Sequence, residues 1–405
     1  MFIKKMTNYS WALYTFILLA FLALTMLIII FISALMFKPS NNPEVLKYFN
    51  TDFLSTASSY SRTALLISVS QRLLSWIFMF GLIFIFWKNF HANNRIPILL
   101  ACGIFVLFNI FLYIILLPLQ YYRGFVIEHR FGLSNQTFYE WFLDILKDRA
   151  ISLLINTFIL TIIYILIIYV QKNWWLAAAA IFILFLILSI FIFPVLIEPL
   201  FYNFQELEDK ELKEEIIKIT DRADIEVDKI LVADASRKTT RINAYFTGIG
   251  KTKRIVIYDN LLNRNPKNEV LSVIAHELGH WKYKHIFISL LIGSASIVLL
   301  LFILRLFQSG LNLNVSIKSV LILFILFSLI SYITIPFQNF ISRNFEKQAD
   351  YTALKLTGDP ETQINMFKKL AVSNLSNVVP HPVLKFIIFS HPPIMERINN
   401  AIDNF

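Results

Sequence analysis

Long apolar runs alternate with polar stretches along the whole chain, and the runs have the length of membrane-crossing helices. A spanning helix needs about 20 largely apolar residues. Seven segments qualify, at roughly 12–37, 64–87, 96–119, 150–170, 174–197, 286–307 and 319–341. The pattern predicts a mainly α, polytopic membrane protein. The first run is too long for a removed signal peptide and lacks a small-residue cleavage site. The second contains Gln71 and Arg72. Charge inside a bilayer is costly, so Arg72 is expected to face the bundle interior or snorkel to an interface.

The polar stretches divide the rest of the chain. Residues 1–200 hold the first five spans and their loops, 201–285 form a large insert, 286–341 the last two spans, and 342–405 a polar tail. Within the insert a charged helical pattern over Gln205–Ala223 leads to the short strand Ile230-Leu231-Val232. The runs Ile242–Thr247 and Arg254–Tyr258, separated by Gly248-Ile249-Gly250-Lys251, read as a β-hairpin. Pro266 and Asn268 then open a helix whose Val270, Val273 and Ile274 keep a 3.6-residue period. An odd number of spans places the insert and the tail on one side, opposite the N-terminus.

Composition agrees with lipid as the main solvent. The chain is 57% hydrophobic and 16% charged, with a mean hydropathy of +0.63, against about 25% charged for a soluble domain. A net charge of +10 suits nucleic acid or an anionic membrane surface. No phosphate loop, zinc-finger spacing or RNP-like motif accompanies the basic residues, which favours the membrane over nucleic acid. The single cysteine, Cys102, lies in an apolar run, so neither an intrachain disulfide nor a Cys-based zinc site is possible. Short loops carry seven Lys or Arg on each side, a tie under the positive-inside rule. Lys282, Lys284, Arg343 and Lys347, beside the last two spans, tip the balance toward a cytoplasmic insert and tail.

The chemistry concentrates in His276-Glu277-Leu278-Gly279-His280. Histidines at i and i+4 stand on one helix face, so two imidazoles can reach one zinc ion. The intervening Glu277 can serve a zinc-activated water as general base. With 7 His and 15 Glu, such a pattern arises by chance in roughly 0.5% of chains of this composition. A catalytic zinc takes three protein ligands and keeps one position open. His285, nine positions beyond His276, is expected to point away from the pair and to serve as a helix-end histidine. The third ligand is then a downstream carboxylate. Glu346, just past the seventh span and paired at i, i+4 with Asp350, is the leading candidate, with Glu361 and Glu396 as competitors. Of the Glu346–Asp350 pair, one carboxylate can ligate zinc while the other fixes a ligand histidine.

The pentad continuing into Trp281-Lys282, the Ser342-Arg343…Glu346…Ala349-Asp350 stretch and Ser390-His391-Pro392-Pro393 occur in an order and spacing that resemble the type I CAAX prenyl endopeptidases, integral-membrane zinc proteases. Arg130-Phe131-Gly132-Leu133-Ser134, Pro199-Leu200-Phe201 and Asn243–Gly248 look like further blocks of that family. The resemblance covers nearly the whole chain, all seven spans included. It implies that His276, His280 and Glu346 bind one zinc, that Glu277 activates water, and that Asp350 supports a ligand histidine. It further implies that Asn243 holds the substrate backbone on an edge strand, a recognition mode based on strand addition. His391 would stabilise the developing oxyanion, and Arg397 would pair with a site carboxylate. A large intramembrane chamber and cleavage near the C-terminus of prenylated chains are also implied.

Two other functions compete. A broad-specificity protease for membrane-protein quality control uses the same chemistry. A transporter or scaffold with a vestigial site is the rival of another class, opposed by the intact His-Glu-x-x-His. Richness in Ile, Asn and Lys points to an AT-rich genome, such as a bacterial one, which implies an inner-membrane location. A eukaryotic member would sit in the endoplasmic reticulum, for which Asn399–Phe405 carry no retrieval signal. Oligomeric state is not written in the sequence.

Overall fold

The computed structural model describes residues 2–89, 95–248 and 253–403. The N-terminal half is helical: α1 (Phe2–Leu35), the single turn α2 (Pro43–Leu46), α3 (Thr51–Asn89) and α4 (Ile98–Tyr121). A π-helical stretch at Tyr122–Ile127 leads from α4 into α5 (Glu128–Arg130). Then come α6 (Phe138–Tyr169) and α7 (Trp174–Ile192). Two of these helices start well before their apolar runs. Asn50 Oδ1 accepts from Phe53 N–H at the start of α3. A reciprocal Thr137–Glu140 capping box opens α6. Their polar first turns extend the membrane helices beyond the apolar stretch.

Six helices are long and apolar enough to cross a membrane among the described residues, or seven if a bent pair counts as one span. That pair is α12 (Ile317–Ile333) and α13 (Ile335–Thr357), which meet at 44°. The break falls at Thr334, two residues before Pro336, which can neither donate an N–H nor tolerate the preceding turn unkinked. The outer faces of the bundle carry apolar side chains that no protein covers; Leu99 is 85% exposed. Exposure on that scale is what a lipid-facing surface requires. Inside, Phe105, Tyr164 and Trp174 are fully buried. Polar contacts tie distant spans together, Trp174 Nε1 donating to Gln308 Oε1 (2.6 Å) and Trp76 Nε1 to Ser328 Oγ (3.0 Å). Arg72 is exposed, with its guanidinium 5.4 Å from the centre of the Tyr332 ring.

The insert folds as β1 (Phe204–Glu206), α8 (Lys210–Arg222), β2 (Lys229–Ala233), β3 (Ala244–Thr247), β4 (Arg254–Tyr258), α9 (Asp259–Arg264) and α10 (Lys267–Lys282), followed by the span α11 (His285–Gly310). The sheet order is β1-β2-β4-β3, with β2 and β4 parallel and the outer strands antiparallel. The expected helix from Gln205 therefore begins later. Gln205 pairs with Val232 in the sheet, and the helix waits for its cap, where Asp209 Oδ1 accepts from Leu212 N–H. The β3–β4 hairpin is present; its turn, beyond Gly248, lies outside the described residues.

The tail continues from α13 through α14 (Pro360–Asn374), α15 (Pro382–Ile388) and α16 (Ile394–Asp403). One apolar core joins insert and tail: Ile230, Ile255 and Ile257 from the sheet, Ile216 from α8, Ile274 and Leu278 from α10, Ala353 from α13 and Met366 from α14. This body is fastened to the membrane helices by polar contacts. Loop 132–135 bonds to residues 238–240, as in Thr240 N–H to Leu133 O (3.2 Å) and Asn135 N–H to Lys238 O (3.0 Å). Glu198, beyond α7, receives Tyr245 Oη (2.9 Å) and pairs with Arg254 (3.2 Å).

Candidate metal centre

Helix α10 begins beside Pro266, whose carbonyl accepts from Glu269 N–H. It buries Val270, Ile274, Ala275 and Leu278, so the periodicity that fixes this core face also turns His276, Glu277 and His280 toward the tail. Helix α13 crosses α10 at close range. A Cβ on Gly279 would lie 2.7 Å from Ala349 Cα, so only glycine fits there without displacing backbone. The crossing sets Glu346 opposite the histidine pair.

The three groups converge. His276 Nε2 and His280 Nε2 are 3.2 Å apart. Glu346 Oε2 lies 3.3 Å from His276 Nε2, and its Oε1 lies 3.4 Å from His280 Nε2. One ligand atom from each residue falls within 4.8 Å of the others. Neither competitor is near: Glu361 is exposed in the first turn of α14, and Glu396 is paired with Lys347 (2.9 Å) and Lys385.

The residues present fit a divalent metal ion. Two imidazole nitrogens and a carboxylate are a common donor set for zinc. The Glu346 side chain is only 7% exposed, yet Oε2 has no hydrogen-bond partner among the described residues. Burial opposes a charge on His276, but the carboxylates of Asp350 and Glu346 outweigh it and raise the imidazole to about 10. Two carboxylates this close to one imidazole make the pocket favourable to positive charge.

Each histidine has a polar neighbour close to its other ring nitrogen. Asp350 Oδ1 lies 2.8 Å from His276 Nδ1. Arg397, itself buried, closes on Asp350 with two bonds, Nε to Oδ2 (2.8 Å) and Nη2 to Oδ1 (2.6 Å), and stacks 4.2 Å from the Phe367 ring centre. His280 Nδ1 lies 3.0 Å from His285 Nδ1, and His285 Nε2 lies 2.8 Å from Gln348 Oε1. His285 does begin a helix, but it does not point away from the pair. Lys284 adopts a left-handed conformation (φ 55°), which breaks the helix after α10 and swings His285 back against His280. Nine positions along one unbroken helix would have turned the ring the other way.

The remaining site residues surround the same cavity of about 370 Å³, lined among others by Asn243, Glu277, His391 and Phe389. Burial raises the Glu277 carboxyl above the ordinary range, against the pull of both histidines. His391 Nε2 lies 3.3 Å from Glu346 Oε1, on a side chain left 59% exposed at the cavity mouth. Asn243 immediately precedes the edge strand β3. Tyr258 N–H bonds to Asn243 O (3.0 Å), so by antiparallel alternation the backbone groups of Ala244 and Phe246 turn to the open edge. The Phe246 N–H faces Glu277. Sequence reasoning singled out neither His285 nor Gln348 for these contacts.

Residues 206–404 match the family model for peptidase family M48, and residues 32–203 match one described as CAAX prenyl protease N-terminal, five membrane helices. A Bacillus subtilis protein described as the uncharacterized metalloprotease YhfN is 35% identical, over 71% of this chain and 70% of its own. CAAX prenyl protease 1 of Saccharomyces cerevisiae is 34% identical, over 71% of this chain and 68% of its own. The crystal structure of S. mikatae Ste24p superposes with a TM-score of 0.74 at 25% identity, covering 98% of each chain.

Proposed function

The chain belongs to peptidase family M48 and is a multi-pass membrane metalloprotease, and we propose that it acts as a zinc endopeptidase that removes C-terminal residues from prenylated chains. One observation carries the finer reading. The likeness to CAAX prenyl protease 1 and to Ste24p runs through the five-helix membrane unit as well as the catalytic segments. A protease that shared only the pentad would not match there.

In this reading His276, His280 and Glu346 hold the zinc ion. Bound there, the ion supplies Lewis acidity for peptide hydrolysis. Asp350 fixes the His276 ring and is itself held by Arg397. A substrate segment lies extended along β3, where the outward N–H and C=O groups of Ala244 and the C=O of Phe246 bond its backbone, and Asn243 adds a side-chain contact. Glu277 accepts a proton from the attacking water on its carboxylate and returns it to the leaving amine. Ser390 Oγ, 2.9 Å from His391 Nδ1, donates to that nitrogen. The His391 proton then sits on Nε2, facing the oxygen where negative charge develops. The catalytic side faces the cytosol, as the basic residues flanking the last two spans favour.

The test is cleavage by purified protein of a peptide with and without a C-terminal isoprenyl group. Wild type should cut the prenylated peptide preferentially. Glu277→Gln should keep about one zinc per chain and lose the activity. Equal cleavage of unprenylated membrane peptides would replace this reading with broad membrane-protein turnover. An active Glu277→Gln enzyme would remove Glu277 as the base.

A further inference from the structure

Arg343 is buried, 8% exposed, and forms no ion pair among the described residues. A guanidinium in that position must spend its donors on neutral acceptors. It does so at one place. Its Nη1 donates to Lys385 O (3.0 Å) and to Phe389 O (2.6 Å). Both carbonyls lie at the C-terminal end of α15, a seven-residue helix whose last carbonyls have no helical partner. One turn earlier on α13, Asn339 Nδ2 donates to Ile387 O (2.7 Å). A cation at a helix C-terminus is also favoured by the helix dipole.

The chain that leaves this end of α15 is Ser390-His391-Pro392-Pro393. Its far side is pinned too, because Arg397 closes on Asp350 of α13. Asn339, Arg343, Glu346 and Asp350 follow the i, i+4, i+7, i+11 spacing of a single helix stripe. That stripe holds the histidine segment at both ends and presents the metal ligand between them. The polypeptide from Phe389 to Arg397 is therefore a strap fastened to α13, with His391 at its exposed bend.

We infer that Arg343 is a positioning residue for the peptidase reaction: by capping α15 it sets where His391 Nε2 meets the developing oxyanion. The inference rests on the role proposed for His391. Arg343 donates to no metal ligand, so its loss should leave the metal alone.

The experiment is a double-mutant cycle on the full-length, zinc-loaded protein, reading kcat, KM and zinc content. Loss of an oxyanion donor costs about 10²–10³ in kcat, which is the expectation for H391A. A misplacement of about 1 Å can cost on the order of 10²-fold, so R343M should lower kcat by roughly 10–100-fold with KM little changed. The R343M/H391A double variant should be no slower than H391A alone, and R343M should retain one zinc per chain. Amide hydrogen exchange should rise at residues 389–391 in R343M. If R343M does not fold, R343K, which keeps the charge but not the planar fork, runs the same cycle. Multiplicative losses in the double variant, or zinc loss in both R343M and R343K, would overturn the assignment of Arg343 alone. An unchanged kcat in H391A would overturn the role of His391 first, and the strap's purpose with it.

Discussion

Replacing Gly279 by alanine sets two known effects against each other, and the structure says which should win. Gly279 lies inside α10, where alanine is intrinsically better by about 1 kcal/mol. On propensity alone the variant should be the more stable protein. The added methyl, however, would lie 2.7 Å from Ala349 Cα and 3.1 Å from both Ala349 O and Thr352 Cβ. Carbon atoms prefer about 3.5–4.0 Å, so α10 and α13 must part by about 1 Å. The obstacle is backbone, which cannot rotate aside as a side chain could. Overpacking of this kind costs about 1–3 kcal/mol, which matches or exceeds the helical gain. The larger effect falls on the site, because α10 carries two ligands and α13 the third. A separation of about 1 Å would stretch the 2.8 Å contact between His276 and Asp350 to about 3.8 Å, beyond hydrogen-bond range. Losing such a supporting bond typically lowers metal affinity by about 10–100-fold. The assay is chelator competition on purified Gly279→Ala protein, with thermal unfolding measured in parallel. Zinc affinity equal to wild type, with a raised melting temperature, would refute the argument.

Two further outcomes are expected. Glu346→Ala should abolish zinc retention, whereas Glu361→Ala and Glu396→Ala should leave it intact; stoichiometric zinc in an active Glu346→Ala protein would place the third ligand elsewhere. A cysteine introduced on the exposed side of α8, in a Cys102→Ser background, should resist an impermeant thiol reagent in intact cells and react after permeabilisation, and labelling in intact cells would reverse the proposed topology.

How much of this was legible depended on whether the information was local. The pentad could be read because i, i+4 spacing encodes a helix face without any tertiary knowledge. The seven apolar runs were equally plain, since length and hydropathy are local quantities. Spacing alone could not choose Glu346, which stands 66 positions beyond His280. Its selection needed the resemblance to a family, and its geometry needed the fold. His285 was misread because a single left-handed residue, Lys284, redirects the chain, and a lysine carries no strong signal for that conformation. Strand β1 was absorbed into the helix that follows it, because three residues acquire strand character only by pairing with β2. Arg343 was visible as a motif residue but not as a cap. Its acceptors are backbone carbonyls some forty positions away, and no side-chain pattern announces those.

The separation between the ligands also bears on when the enzyme comes into being. His276 and His280 precede the last two spans, and Glu346 follows them. Closing so long a loop in an unstructured chain would carry a substantial entropic cost. The membrane removes most of it, because α11 and α12, once inserted and packed, return the chain to the side it left. The nascent protein therefore holds two histidines of the triad with no third ligand until that final hairpin has crossed the bilayer. Segment 389–397 is made later still. A protease put together in this order stays inert through almost all of its own synthesis, with biogenesis itself acting as the safety catch.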